Sequence, residues 1–203
     1  KLAVEEINKA GDVNVKGKKR PFAVEVIDTR DLEPGVPVSE ALLGLEKLIL
    51  EKKADFIIGG PVRSEAALAA MDLLNKYKKV SILTTGVLTP AYQKKIADNY
   101  DKYKYCFRNT SHVGVMMNEF ITMLEDLRKS HGFDKAAVMV QDVAHARAGG
   151  EAMKKGLAAK GWKVSDTKIY PTGTTDYSVG LNDSAKFGAQ ILFIWMDMPE
   201  SAV

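Results

Sequence analysis

An α/β fold of two lobes, each built on a parallel sheet, is what this sequence predicts, and three observations predict it. Short apolar runs alternate with segments whose apolar residues recur every three to four positions. The apolar runs end in polar, small-residue loops, as buried parallel strands do. The series then starts afresh after Arg108, with a long helical segment, so a boundary is expected near 109–114, dividing residues 1–110 from 111–203.

The elements follow in order. Leu2 to Lys9 has helical spacing and Gly11 ends it. Phe22 to Asp28 alternates and is rich in β-formers, which predicts a strand. Val38, Ala41, Leu42, Leu45, Leu48 and Ile49 make one helical face. Phe56 to Ile58 reads as a strand ending at Gly59-Gly60-Pro61, and Ala67, Ala70, Met71, Leu74 and Tyr77 as the next helix. Val80 to Leu83 is a strand, a short helix follows Pro90, and Tyr103 to Arg108 is a strand. Ser111 is placed to cap the longest helix, with Met116, Met117, Phe120, Ile121, Leu124 and Leu127 on its face. Strand Ala136 to Val140, helix Gly149 to Ala159, strand Trp162 to Ile169, helix Tyr177 to Phe187 and strand Gln190 to Trp195 complete the series. Helices are expected on both faces of the sheets.

Composition narrows the function classes. A chain of 203 residues with a net charge of +3 carries no sign of a nucleic-acid partner. The basic cluster Lys16 to Arg20 is short and reads as a solvated turn. One cysteine, Cys106, excludes an internal disulfide. The apolar run from Ala189 to Met196 is far shorter than the ~20 residues a bilayer needs. His112, His131 and His145 lack metal-ligand spacing, Cys106 has no histidine near it in sequence, and no phosphate-binding glycine loop follows a strand. No catalytic residue, metal or cofactor is therefore expected.

Ligands of open parallel sheets bind beyond the carboxyl ends of the strands. Four such loops are polar: Gly59 to Glu65, Thr84 to Thr89, Gln141 to Arg147, and Met196 to Pro199. In the first, the glycines permit close backbone approach, and Ser64 stands where an N-cap would stand, before N–H groups that favour a carboxylate. Ser64 can equally do no more than cap its own helix. Arg63 can draw an anion to the loop or remain solvated. Trp195 reads as core unless the strand turns it outward.

Several segments resemble the type I periplasmic binding proteins, the branched-chain amino acid-binding group of extracellular receptors. These are Leu2 to Gly11, Phe22 to Asp28 with Pro34, the Gly-Pro-x-x-Ser loop ending at Ser64, Val80 to Pro90, Tyr105-Cys-Phe-Arg108 and Thr174-Thr-Asp-Tyr-Ser178. The resemblance implies two Rossmann-like lobes of the periplasmic binding protein-like I class, incomplete at both ends. It implies a non-catalytic, periplasmic or extracellular receptor that closes on a small amino acid or related carboxylate and docks on an ABC permease. Carried over by position, the ligand-binding residues are Ser64, Gly86, Leu88, His145 and Asp197, with Trp195 two residues before it; the strand-end loops themselves add Arg63 and Thr85 as candidates. The family's Ala-Thr pair falls on Val87 and Leu88, so a hydroxyl is missing, while backbone N–H groups at Gly86 and Leu88 remain able to hold a carboxylate. Asp197 can pair with a ligand ammonium or stand as a solvated carboxylate at a strand end, and His145 can meet a ligand or be an ordinary surface loop histidine. A sensory receptor domain and an enzyme on a flavodoxin-like fold are the alternatives.

Overall fold

The computed structural model describes residues 1–33, 35–84 and 86–197. In chain order the elements are α1 (Leu2–Lys9), β1 (Val13–Val15), β2 (Lys18–Arg20), α2 (Val38–Leu50), β3 (Phe56–Gly59), α3 (Ser64–Tyr77), β4 (Val80–Leu83), α4 (Ala91–Asp98), α5 (Tyr100–Tyr103) and β5 (Cys106–Arg108). There follow α6 (Val113–His131), β6 (Lys135–Gln141), α7 (Ala144–Ala159), β7 (Lys163–Val164), β8 (Lys168–Tyr170), α8 (Ser178–Phe187) and β9 (Ile191–Trp195).

Two parallel sheets carry the fold. The first runs β3-β4-β5, with Ile57 opposite Ser81 and Ile82 opposite Phe107. The second is centred on β6. It pairs along one edge with β7 and then β8, and along the other with β9. Each sheet has its own apolar core. Leu45, Ile57, Met71, Leu83 and Cys106 belong to the first, and Met117, Val138, Val140, Met153 and Trp162 to the second.

Winding direction decides which faces are covered. The first sheet is wound one way only, and right-handed crossovers then place every connecting helix on one face. Ile57, Leu83 and Cys106 are buried there beside residues of α2 and α3. On the opposite face Phe56, Ile58 and Phe107 stand 43%, 61% and 50% exposed, so the expectation of helices on both faces fails for this sheet. The second sheet reverses direction at β6. A Cβ on Gly150 of α7 would meet Val140 and Val138, whereas one on Gly180 of α8 would meet Met139. Alternate strand residues face opposite sides, so α7 and α8 lie on opposite faces of β6. Residues 136–140 are accordingly buried throughout.

Four local expectations are corrected. Phe22 to Asp28 forms no strand. It makes no ladder with any described strand, and Val24 and Val26 are exposed. Its start is held by Asn8, whose side chain exchanges hydrogen bonds of 2.9 and 2.8 Å with the Phe22 backbone, and by the edge of Phe22 on Phe56. The solvated cluster 16–20 is a turn only at Lys16 and Gly17, both at positive φ as such a turn demands, and residues 18–20 are the second strand of a hairpin. Helix α7 begins at Ala144, five residues before Gly149. Gly149 and Gly150 lie inside it because Val113 and Val140 approach too closely to admit ordinary side chains. Finally, α6 is capped by His112, whose Nδ1 accepts from the Gly114 N–H at 3.0 Å, and not by Ser111.

Two outcomes check this packing. Gly150→Ala should lower the unfolding free energy by about 1–3 kcal/mol, measured in urea, because the new methyl must displace the stiff, buried Val140. Burial pushes the Cys106 thiol up to about 11, so the native protein should resist thiol reagents at neutral pH and react fully only once unfolded.

Candidate functional site

The carboxyl ends of both sheets face a common cleft of about 800 Å³. Its first wall is built on the loops after β3 and β4. Asp31 lies in the segment before α2, 5% exposed, and its Oδ2 accepts the Val62 and Arg63 N–H groups at 2.8 and 2.6 Å. Thr29 donates its hydroxyl to the other oxygen. The two amides just before Ser64 are thus already taken by a carboxylate from the chain itself. The Val62 carbonyl accepts the Val87 N–H at 2.9 Å, which sets the β4 loop against the β3 loop. That approach requires glycine at 86. Its φ is +62°, and a Cβ would lie 2.6 Å from the Val62 oxygen. Arg108 at the end of β5 then donates through Nη1 to the Val87 and Thr89 carbonyls at 2.6 and 3.0 Å.

The second wall is a polar relay at the carboxyl end of β6, the strand where the sheet reverses direction and where open α/β sheets place their ligands. Gln141, 5% exposed, donates through Nε2 to the Thr172 hydroxyl at 2.9 Å. Its Oε1 accepts the Asp197 N–H at 2.8 Å. The Asp197 carboxylate in turn lies 3.1 Å from His145 Nε2. The hydrogen bond from His145 holds the Asp197 carboxyl below the usual carboxylate range, against the opposing effect of burial. The Asp197 side chain is 57% exposed and keeps capacity to accept a further donor.

Of the residues singled out in the sequence, Arg63, Gly86, Leu88, His145 and Asp197 line this cleft. Thr85 lies outside the described residues, as do Pro34 and Pro199. Ser64 is not in the lining. It is the first residue inside α3, 1% exposed, and Arg63 holds the N-cap position. Trp195 is not in the lining either. Its ring meets Phe120 edge-on at 5.9 Å and packs against the second core. His145, expected in a loop, sits on the first turn of α7.

Sequence reasoning missed Asp31, Gln141 and Thr172, which the cleft brings together with Val62, Val87 and Val143. Gln141 carried a usable signal, being a polar residue that ends a wholly apolar strand. Asp31 carried none, since the backbone amides it holds lie 31 and 32 residues away. A smaller hollow of about 340 Å³ beside Asp166, Lys168 and Asp183 belongs to the second lobe alone. Among the described residues no group of His, Cys, Asp and Glu is placed to hold a metal, and no helix is long and apolar enough to cross a membrane.

Replacing Gln141 with Leu should break this relay at its centre. The expected result is a lower melting temperature, because the Thr172 hydroxyl and the Asp197 N–H both lose their partner. An unchanged melting temperature in a calorimetric scan would show that the relay does not order the wall.

The fold agrees with that of known proteins. The chain is similar to the solved structure of a branched-chain amino acid ABC transporter protein from Silicibacter pomeroyi. Identity is 17% and the TM-score 0.75, over 95% of this chain and 47% of that one. It is also similar to a leucine binding protein from Thermotoga maritima, with 16% identity and a TM-score of 0.71 over 94% and 49% of the two chains. A third is a solute binding protein from Rhodopseudomonas palustris BisB5 in complex with 3,4-dihydroxy benzoic acid, with 20% identity and a TM-score of 0.69 over 96% and 48%. The chain thus spans about half the length of these structures. No curated protein matches its sequence. The family model described as periplasmic binding protein matches residues 1–202. That family consists of binding proteins and not enzymes, and this chain belongs to it.

Proposed function

We propose that this chain is the ligand-binding portion of a solute receptor that closes on a small amino acid or related carboxylate and presents it to the permease of an ABC importer. One observation carries the reading: loops from the carboxyl ends of two separate sheets line a single cleft. Family membership supports a periplasmic or extracellular setting. Among similar structures, one is named as a leucine binding protein and another holds 3,4-dihydroxy benzoic acid, so both amine-bearing and simple carboxylates are candidates.

The walls assign roles. Val62, Val87, Leu88 and Val143 offer apolar surface for the body of a ligand. Asp31 satisfies the Val62 and Arg63 amides, so a ligand carboxylate is left to Gly86, Leu88 and the Arg63 side chain. Asp197, steadied by His145 and Gln141, receives an ammonium if the ligand has one. The lobes hinge near 109–114, and closure is favoured by the contacts a ligand makes to both walls.

A thermal-shift screen with leucine and 3,4-dihydroxybenzoate as first probes tests this. A true ligand at 100 times its Kd adds about 2.7 kcal/mol to stability and raises the melting temperature. No shift with any small amino acid or organic carboxylate would remove the proposal. For an amine-bearing ligand, Asp197→Asn should weaken binding roughly tenfold or more while a simple carboxylate loses less. Equal losses by calorimetry would argue against ammonium pairing at Asp197.

A further inference from the structure

Besides the hydrogen bond at the hinge, where the Leu88 carbonyl accepts the Val113 N–H at 2.8 Å, the two lobes touch through a further contact that lies outside the cleft lining. Glu65 is the second residue of α3, in the first lobe, and its Oε1 accepts the backbone N–H of Ala144 at 3.1 Å. Ala144 is the first residue of α7, in the second lobe. The N-cap of α7 is Val143, whose side chain has no acceptor, and α7 has neither a side-chain cap nor an acidic residue in its own first turn. A helix of 16 residues in this state presents N–H groups and positive dipole charge that no side chain of its own first turn compensates. Glu65 supplies both the acceptor and the negative charge from the opposite lobe. Its other oxygen faces Arg63 Nε at 3.5 Å, which steers the carboxylate.

We propose that Glu65 is a latch between the lobes, capping α7 from across the cleft and so favouring the closed arrangement before any ligand arrives. The residue after Ala144 is His145, and Val143 precedes it, so the latch also fixes where the second wall stands relative to Val87 and Leu88. Glu65 is a positioning residue. It sets ligand affinity by raising the population of the binding-competent state, and it touches no ligand. The inference rests on the two-lobed receptor reading, but its test uses no ligand.

Spin labels at Gln93→Cys and Lys155→Cys, both exposed positions on opposite lobes, report the interlobe distance while Cys106 stays buried. In the ligand-free protein Glu65→Ala should shift the distance distribution to longer values. It should also speed hydrogen exchange at the Ala144 amide by about 2- to 30-fold, the range spanned by loss of one N-capping acceptor. Glu65→Gln, which keeps an acceptor oxygen but no charge, should fall between the two. A fall in melting temperature with unchanged distances and unchanged Ala144 exchange would mean that Glu65 serves only its own helix, and would overturn the latch. A ligand screen without hits leaves this measurement unaffected, so the two ideas fail separately.

Discussion

The first wall of the cleft depends on one buried carboxylate. Asp31 is almost wholly withdrawn from water, and a buried charge is tolerable only where hydrogen bonds replace its hydration. Two backbone amides and the Thr29 hydroxyl do so. In return the loop after β3 loses its freedom. Val62 is then fixed to receive Val87, Gly86 is fixed as the only residue type that fits beneath it, and Arg108 ties down the carbonyls beyond. The rigidity of the wall is therefore a stack of dependencies with Asp31 at its base.

The second wall is organised differently. Its polar groups come from the ends of three strands that meet because β6 is where the sheet reverses direction. Gln141 uses one end of its amide on Thr172 and the other on Asp197, so a single side chain spaces the loops after β8 and β9. Asp197 is held by its own backbone and by His145, yet keeps an exposed edge. The first wall is thus braced by hydrogen bonds within the chain, and on the second the Asp197 carboxylate keeps hydrogen-bonding capacity.

Much of the element series was legible because helices and buried strands write their geometry into local spacing. The faces of α2, α3 and α6, the strands β3, β4, β6 and β9, and the restart after Arg108 all follow from residues close in sequence. The failures share a cause. Gly149 and Gly150 look like a helix start until Val113 and Val140 are seen packed against them. Phe22 to Asp28 has the composition of a strand, but a strand exists only where a partner offers hydrogen bonds.

By itself, then, the sequence determined the α/β class with parallel sheets and the family, because each is encoded in periodicity or in ordered local motifs. Only the tertiary structure decided which side chains in the strand-end loops reach the cleft. Ser64 and Trp195 turn into the packed interior, while Asp31, Gln141 and Thr172 come forward. Those outcomes depend on hydrogen bonds between groups 31 to 56 residues apart and on the direction in which each sheet is wound, and neither leaves a trace in the spacing of nearby residues.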